Sequence, residues 1–458
     1  MPEADLRSFL QFVREQCPQE YVRLEREVSP RWELAAIVAK LEGALRAPLI
    51  ECARVTGTDL SVLTNVCASL SRIARSMGRT ERELEDMLAG AYDRPIPPRL
   101  WSGAATAPVR QRVVQGDSVD LSRLPQMRYT EVETAAYLTA AAVVARDPDS
   151  DVLNVSYHRL MISGRNTTGI FMAPGGHLDA IHRKHAALGM DTPVAAFIGA
   201  HPLWSLGSLA AGGLELDEFG IIGALLGSAL EVIPGILDPR LLVPARAEIV
   251  LEGRIRHDRS VDEGPFGEYA GYAMPRAKKP VFEVAVMSQR DRPLFQDIVA
   301  GRVEHLTMTG IALRAHLERT LRRAYPDAIL ELYLPAPMTL FVKLDKSQLG
   351  GREVRELMRA VLTAQLYLKR IVCFDPDVEL RSLQRTQWAV ATRVQIHRDL
   401  VVVPDQPGTG LDPSELDGKT TKWGLDATAK PDLDHYAPRN RVPQQVLDRI
   451  DLREILQR

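Results

Sequence analysis

Residues 137–170 read YLTAAAVVARDPDSDVLNVSYHRLMISGRNTTGI, and whether this stretch is helix or strand decides the fold. Its apolar and alternating runs are short, rich in Val, Ile, Thr and Tyr, and broken by Asp, Ser, Gly and Asn. That pattern belongs to strands joined by tight turns. The same grammar continues outward through TTGIFMAP, PVAAFIGA, AEIVLEGRI and FEVAVMSQR. A run of such strands predicts a closed or nearly closed β-barrel with inserted helices in the middle of the chain.

The flanks differ. From Leu6 to about Gly90, helical periods (DLRSFLQFVREQ, RWELAAIVAKLEGAL, SVLTNVCASLSRIARSMG) alternate with β-like runs (YVRLEREV, APLIECARV), which reads as a compact α/β unit. The segment 93–111, with four prolines and no helical period, marks the first boundary. From about Leu294 to Leu400 helix and strand alternate again as a second α/β domain, and PDQPGTGLDPSELDGKTTKWGLDATAK after it reads as loop. The last stretch, VPQQVLDRIDLREIL, has the period of an amphipathic helix of about four turns, able to dock on a second subunit or on its own domain. The expected division is therefore 1–105, an N-terminal α/β domain, and 106–297, a split β-barrel. A C-terminal α/β domain over 298–438 and an oligomerisation helix over 439–458 complete it.

With 458 residues the chain is long enough for several cores, and 45% hydrophobic with 25% charged is a globular composition. A formal net charge of −2 gives no electrostatic reason to expect nucleic acid or an anionic membrane as partner. The four cysteines, Cys17, Cys52, Cys67 and Cys373, form no metal-binding spacing and read as reduced thiols. The longest apolar run, 219–237, is interrupted by glycines, Glu231 and Pro234 and suits a buried helix better than a membrane span. These features predict a soluble cytoplasmic protein.

Four motifs carry chemistry. In NVSYHR (154–159), strand alternation puts Asn154, Ser156 and His158 on one face, and Val155, Tyr157 and Arg159 on the other. MAPGGHLD (172–179) offers a Pro-Gly-Gly turn that allows close backbone approach, followed by His177. ELDEFG (215–220) places acids before the apolar run, where a helix dipole favours them. Asn154, His177 and Glu218 together make an amide, an imidazole and a carboxylate, a hard mixed set suited to Mn²⁺ or Mg²⁺ beside a phosphate; Asp217 is the alternative acid. DEGPFGEYAGY (262–272 within SVDEGPFGEYAGY) sets two carboxylates, Glu263 and Glu268, on either side of a tight turn.

These segments, with DEFGIIGALLGSALEVI, VPARAEIVLEGRI and KWGLDATAK, are collinear and resemble the UbiD family of reversible decarboxylases, which use prenylated FMN. The resemblance implies that Asn154, His177 and Glu218 hold a divalent metal on the cofactor phosphate, with K⁺ near Ser208. It implies a flavin lined by Tyr157, His158, Arg159, Phe171, Met172, Ala173 and Gly176, with Lys422 reaching it from the last domain. Arg159, Glu263 and Glu268 match the family's catalytic set. Arg159 would grip the substrate carboxylate through its planar fork, Glu263 would orient it, and Glu268 would deliver a proton to the carbon that loses CO₂. Crowding by Glu263 and burial would favour the protonated form of Glu268. Met308 and Thr309, with His305, are expected at the substrate pocket, where a helix-packing role for Met308 is the alternative. The implied substrate is an aromatic or α,β-unsaturated acid, the cofactor depends on a flavin prenyltransferase, and the assembly is a homodimer or higher oligomer. Two other readings are an FMN-dependent oxidoreductase on a flavin-reductase-like barrel and a family member without catalysis.

Overall fold

A computed structural model describes residues 4–430, 437, 440, 442–452 and 455. The stretch 137–170 does fold as short strands: Tyr137–Leu138, Ala142–Arg146, Leu153–Tyr157, Leu160–Ile162 and Thr167–Ile170. They join Thr192–Ile198, Ile249–Glu263 and Ala277–Gln289 in one nine-stranded sheet, with Arg112–Gln115 added beside Ala277–Gln289. Every pairing in this sheet is antiparallel. The two long strands Ile249–Glu263 and Ala277–Gln289 form its spine, and their register shifts after Glu252 and after Ile255. Such bulges bend the strand and let the sheet curl.

The curl explains where chemistry can sit. Leu153–Tyr157 is the last strand at one end of the sheet, whereas Leu160–Ile162 lies near the other end, between Tyr137–Leu138 and Thr167–Ile170. Only His158 and Arg159 separate them in sequence. Two residues cannot cross a flat sheet of this width, so the two ends must approach each other. His158 and Arg159 therefore bridge the split in a half-barrel.

The first α/β unit forms as expected, with helices Leu6–Gln16, Glu33–Leu45, Leu70–Ser76 and Glu81–Gly90 around Tyr21–Val28, Leu49–Val55 and Ser61–Thr64. Its sheet gains a fourth strand from far along the chain, since Leu294–Gln296 pairs in parallel with Ser61–Thr64. This strand lies at the end of the stretch predicted as barrel, and a parallel partner so distant leaves no local sequence signal. A 22-residue helix, Val303–Ala324, follows and leads into the last domain. That domain is a five-stranded mixed sheet of Ile329–Ala336, Thr339–Leu344, Arg370–Phe374, Lys419–Asp426 and Leu400–Pro407, backed by helices Val354–Ala364 and Leu383–Arg393.

Part of the stretch expected as loop, Lys419–Asp426, is thus an interior strand, parallel to Arg370–Phe374 and antiparallel to Leu400–Pro407. Of the expected terminal helix, 439–458, Gln444–Leu447 is described as a single turn, and residues 439, 441, 453–454 and 456–458 lie outside the described residues. Among the described residues no helix is long and apolar enough to cross a membrane. All four cysteines are buried and unbridged.

Candidate active site

The half-barrel seam carries the acids and the guanidinium. Glu263 is the last residue of the long strand Ile249–Glu263 and is fully buried. Gly264 follows with φ +98°, and a Cβ there would press on Pro275 O at 3.1 Å and Arg276 Cα at 3.2 Å, so only glycine lets the chain turn. Phe266–Gly267 then pairs with Ala273–Met274, and Glu268 N–H donates to Tyr272 O at 2.9 Å. This short hairpin returns the second carboxylate to Arg159.

Arg159 stands between the two acids. Its Nε and Nη2 donate to Glu263 Oε1 and Oε2 at 2.9 and 3.0 Å, a bidentate pair, while its Nη1 donates to Glu268 Oε1. Two rings clamp the guanidinium plane, with centroids 4.1 Å (Phe171) and 4.6 Å (Phe266) from its central carbon. A planar cation held on its edge by a carboxylate and on its faces by rings has little freedom to turn. The crowding expected between Glu263 and Glu268 is relieved, because the shared cation lies between them. Glu268 keeps the more open position, its side chain 13% exposed against 1% for Glu263.

A cavity of about 260 Å³ opens onto this trio, lined by Tyr157, His158, Arg159, Phe171, Ala173 and Glu268 together with Thr139, Leu209, Phe266, Ile298 and Ala300. His305, Met308 and Thr309 complete its wall, so Met308 faces the cavity as well as packing in the core. His158 is locked: Nδ1–H donates to Phe171 O at 2.9 Å, and Nε2 meets Ser156 Oγ at 2.9 Å. Burial pushes its pKa down to about 4, so it is a neutral wall rather than an acid.

The predicted trio Asn154, His177 and Glu218 also meets. Asn154 Nδ2 lies 2.8 Å from Glu218 Oε1 and 3.1 Å from His177 Nδ1, which is 3.3 Å from the same Glu218 oxygen. His177 and Glu218 each open a helix, His177–Ala187 and Glu218–Leu226, so three separate elements converge. Glu218 is 1% exposed and meets Asn154 and His177, whereas Asp217 is exposed. Among the described residues His177 is the one ion-pair partner of Glu218, and burial pushes its carboxyl up while that hydrogen bond pulls the imidazole's pKa up. A buried carboxylate with no Arg or Lys beside it is a place for a cation. Ser208 Oγ, buried and without a hydrogen-bond partner among the described residues, follows helix Pro202–Gly207, and the loop after it brings Gly212 O within 3.0 Å of His177 Nε2.

Three expected positions differ. Lys422 is 1% exposed and its Nζ donates to Leu362 O at 3.1 Å and Gln365 O at 2.5 Å, closing the end of helix Val354–Ala364. It sits on the helix-covered face of an interior strand, so it does not line the cavity. Met172 alternates away from Phe171 and Ala173 and packs in the main core. Gly176 caps the helix that begins at His177 rather than lining the cavity.

Sequence reading missed a buried network behind the cavity wall. Tyr129 OH donates to Asp297 Oδ1 at 2.5 Å, and Thr139, which lines the cavity, lies 3.1 Å from the same oxygen. Asp297 sits in an unremarkable apolar run, FQDIVAG, where no spacing signals it. Burial pushes its pKa up to about 7. A folded-state pKa above the unfolded value of about 3.9 stabilises the fold fully below that value, and the contribution is lost as pH rises through about 7. Asp297→Asn should therefore flatten the stability–pH curve: the difference in unfolding free energy between wild type and variant should change by roughly 2–4 kcal/mol across that window. Urea titrations at a series of pH values check this, and parallel curves would refute it.

The chain is similar to known proteins along most of its length. Residues 102–303 match the 3-octaprenyl-4-hydroxybenzoate carboxy-lyase Rift-related domain, 16–90 the N-terminal domain and 306–427 the C-terminal domain of the same carboxy-lyase. The UbiD-class enzyme HmfF from Pelotomaculum thermopropionicum, solved with FMN, is 34% identical with TM-score 0.90, covering 98% of this chain and 99% of that one. An evolved dimeric form of that enzyme, with prFMN, matches at 31% identity and TM-score 0.86 over 99% of this chain and 100% of that one. Vanillic acid decarboxylase from Sedimentibacter hydroxybenzoicus, in closed form, shares the fold at TM-score 0.87 and 24% identity over the whole of both chains. With three consecutive domains matched and a relative above 30% identity aligned end to end, the chain belongs to the UbiD family of carboxy-lyases.

Proposed function

We propose that this chain catalyses the reversible, non-oxidative decarboxylation of an aromatic or α,β-unsaturated carboxylic acid with prenylated FMN as cofactor. The observation that carries the reading is Arg159, held edge-on by buried Glu263 and touching cavity-facing Glu268. The FMN and prFMN held by the Pelotomaculum relative support the choice of cofactor. The residues fit such a group: a cavity walled in part by Leu209, Phe266, Ile298, Ala300 and Met308, and a buried carboxylate lacking a strong cation. Asn154, His177 and Glu218 would hold Mn²⁺ or Mg²⁺ on its phosphate, and the unpartnered hydroxyl of Ser208 suits K⁺. When bound, prenylated FMN supplies the electron sink for the carbon that loses CO₂.

The chain's own residues do the rest. An incoming carboxylate competes with Glu268 for Arg159 Nη1, while Glu263 keeps Nε and Nη2 and so fixes the direction of the fork. Release of Glu268 from the cation lets its carboxyl take up a proton and hand it to the carbon that lost CO₂. In the carboxylation direction the same oxygen removes that proton. Phe171 and Phe266 keep the guanidinium's faces dry, which strengthens its grip on an anion. A hydride-transferring flavoprotein has no use for this trio. The prenyl group makes the protein dependent on a flavin prenyltransferase, and the dimeric form of the relative supports a homo-oligomer.

The metal clamp is tested by Asn154→Ala. Produced in a prenyl-FMN-making host, the variant should carry less than about a tenth of the wild-type flavin, in line with the loss typical when a metal site is disturbed. Absorbance of the purified protein gives the answer, and full occupancy would remove the clamp from the mechanism.

A further inference from the structure

Glu263 is a buried carboxylate whose oxygens are only half used. Arg159 Nε and Nη2 each donate to one of them, and among the described residues no other hydrogen bond reaches either. An ionised carboxylate has about four acceptor sites, so two remain, and at 0% exposure they lie away from bulk water. One residue in the same dry seam has the matching deficit. Tyr137 is also 0% exposed, and its hydroxyl has no hydrogen-bond partner among the described residues. Leaving either group buried and unsatisfied is costly.

Sheet register brings the two side chains toward each other. Tyr137 pairs with Met161, and Met161 pairs with Gly169, so the three stand in one row on one face of the sheet. Gly169 leaves a gap in that row: a Cβ there would lie 3.5 Å from both Cβ and Cγ of Glu263 and 2.7 Å from Val261 Cγ1. The stem of Glu263 takes that gap. The Tyr137 ring is fixed from another side, 4.5 Å from the ring of Phe266, which itself covers Arg159. Burial pushes the phenol up, and the charge of Glu263 pushes it further while Arg159 opposes, so the hydroxyl keeps its hydrogen. Glu133, the other acid near the phenol, is engaged by the N–H groups of Tyr129, Thr130 and Gly267.

We propose that Tyr137 is a positioning residue whose hydroxyl donates to Glu263, directly or through one enclosed water. This rests on the decarboxylase reading above and adds a residue to its machinery. A donor that takes part of the charge of Glu263 leaves Arg159 more of its own for the substrate carboxylate. Being neutral, it does so without competing for that anion, as a second cation would.

The test is CO₂ release by the reconstituted holoenzyme from a panel of cinnamic, 4-hydroxycinnamic, sorbic, benzoic and 3,4-dihydroxybenzoic acids. Tyr137→Phe keeps the ring and its packing on Phe266 and loses only the hydroxyl. It should raise KM about tenfold and change kcat by less than about twofold. Tyr137→3-fluorotyrosine, a stronger donor of nearly the same size, should bring KM to the wild-type value or below it, a dependence on donor acidity that packing would not produce. KM unchanged in the Phe variant, KM raised equally by both substitutions, or a loss confined to kcat overturns the positioning role. Urea unfolding is a second measure that needs no substrate. Tyr137→Phe should lower the midpoint of the wild type, and by no more than about half as much beside Glu263→Gln, since a neutral acceptor gains about half as much from a donor. Equal drops overturn the contact. Release of CO₂ from none of the acids overturns the decarboxylase reading and the role built on it, while the midpoints still decide the contact.

Discussion

Glu268→Gln is expected to lower kcat by about 10²–10⁴-fold, the range for loss of a positioned proton donor, while leaving flavin content unchanged. Glutamine has the same shape and its carbonyl can still accept from Arg159 Nη1, the bond that Glu268 Oε1 makes here. The guanidinium therefore keeps its seat on Glu263, and the cavity keeps its walls. What the amide cannot do is deliver a proton to carbon. Exchange of deuterium into the product carbon should fall by the same factor, because the proposed mechanism uses the same oxygen in both directions. Retention of more than about a tenth of wild-type turnover would remove Glu268 from the donor role.

Arg159→Ala is expected to abolish turnover and, separately, to cost about 3–5 kcal/mol of stability, the penalty typical of stranding one partner of a buried ion pair. Glu263 is 0% exposed and both its oxygens face the guanidinium, so removal of the cation leaves a carboxylate with no water and no counter-charge. Loss of stacking on Phe171 and Phe266 adds a packing deficit. Adding Glu263→Gln to Arg159→Ala should recover much of the stability without recovering activity. Urea denaturation of the two proteins measures this, and a double variant no more stable than the single one would show that the buried charge is not the cause.

Much of the site was legible because strand alternation is a local rule. Counting puts Asn154, Ser156 and His158 on one face, and Ser156 Oγ does bond to both Asn154 Oδ1 and His158 Nε2. Glu263 and Glu268 were legible as a pair because a Gly-Pro-Phe-Gly turn leaves few ways to arrange its flanks. The place of Lys422 is not legible, for the opposite reason. Its strand is short of apolar residues at its start and bounded by Gly418 and Asp417, so it reads as loop, and only pairing with Arg370–Phe374 reveals which face its side chain takes. The resemblance sets Met172 on the flavin wall with Phe171 and Ala173, whereas alternate residues of extended chain point apart and Met172 packs in the core.

Periodicity and motifs a few residues long carry the classes of element, the half-barrel between two α/β units, and the identity of the charged groups. Tertiary structure decided what these groups do to one another: that Arg159 separates two acids instead of joining one, that Leu294–Gln296 completes the first domain's sheet, and that Asp297 lies buried behind the cavity. It also decided that His305, Met308 and Thr309, from the start of a helix, complete the cavity wall. The physical reason is that periodicity reports which side of an element is dry, whereas the strength of a charge or hydrogen bond depends on how dry the place is and on partners that folding brings from distant parts of the chain.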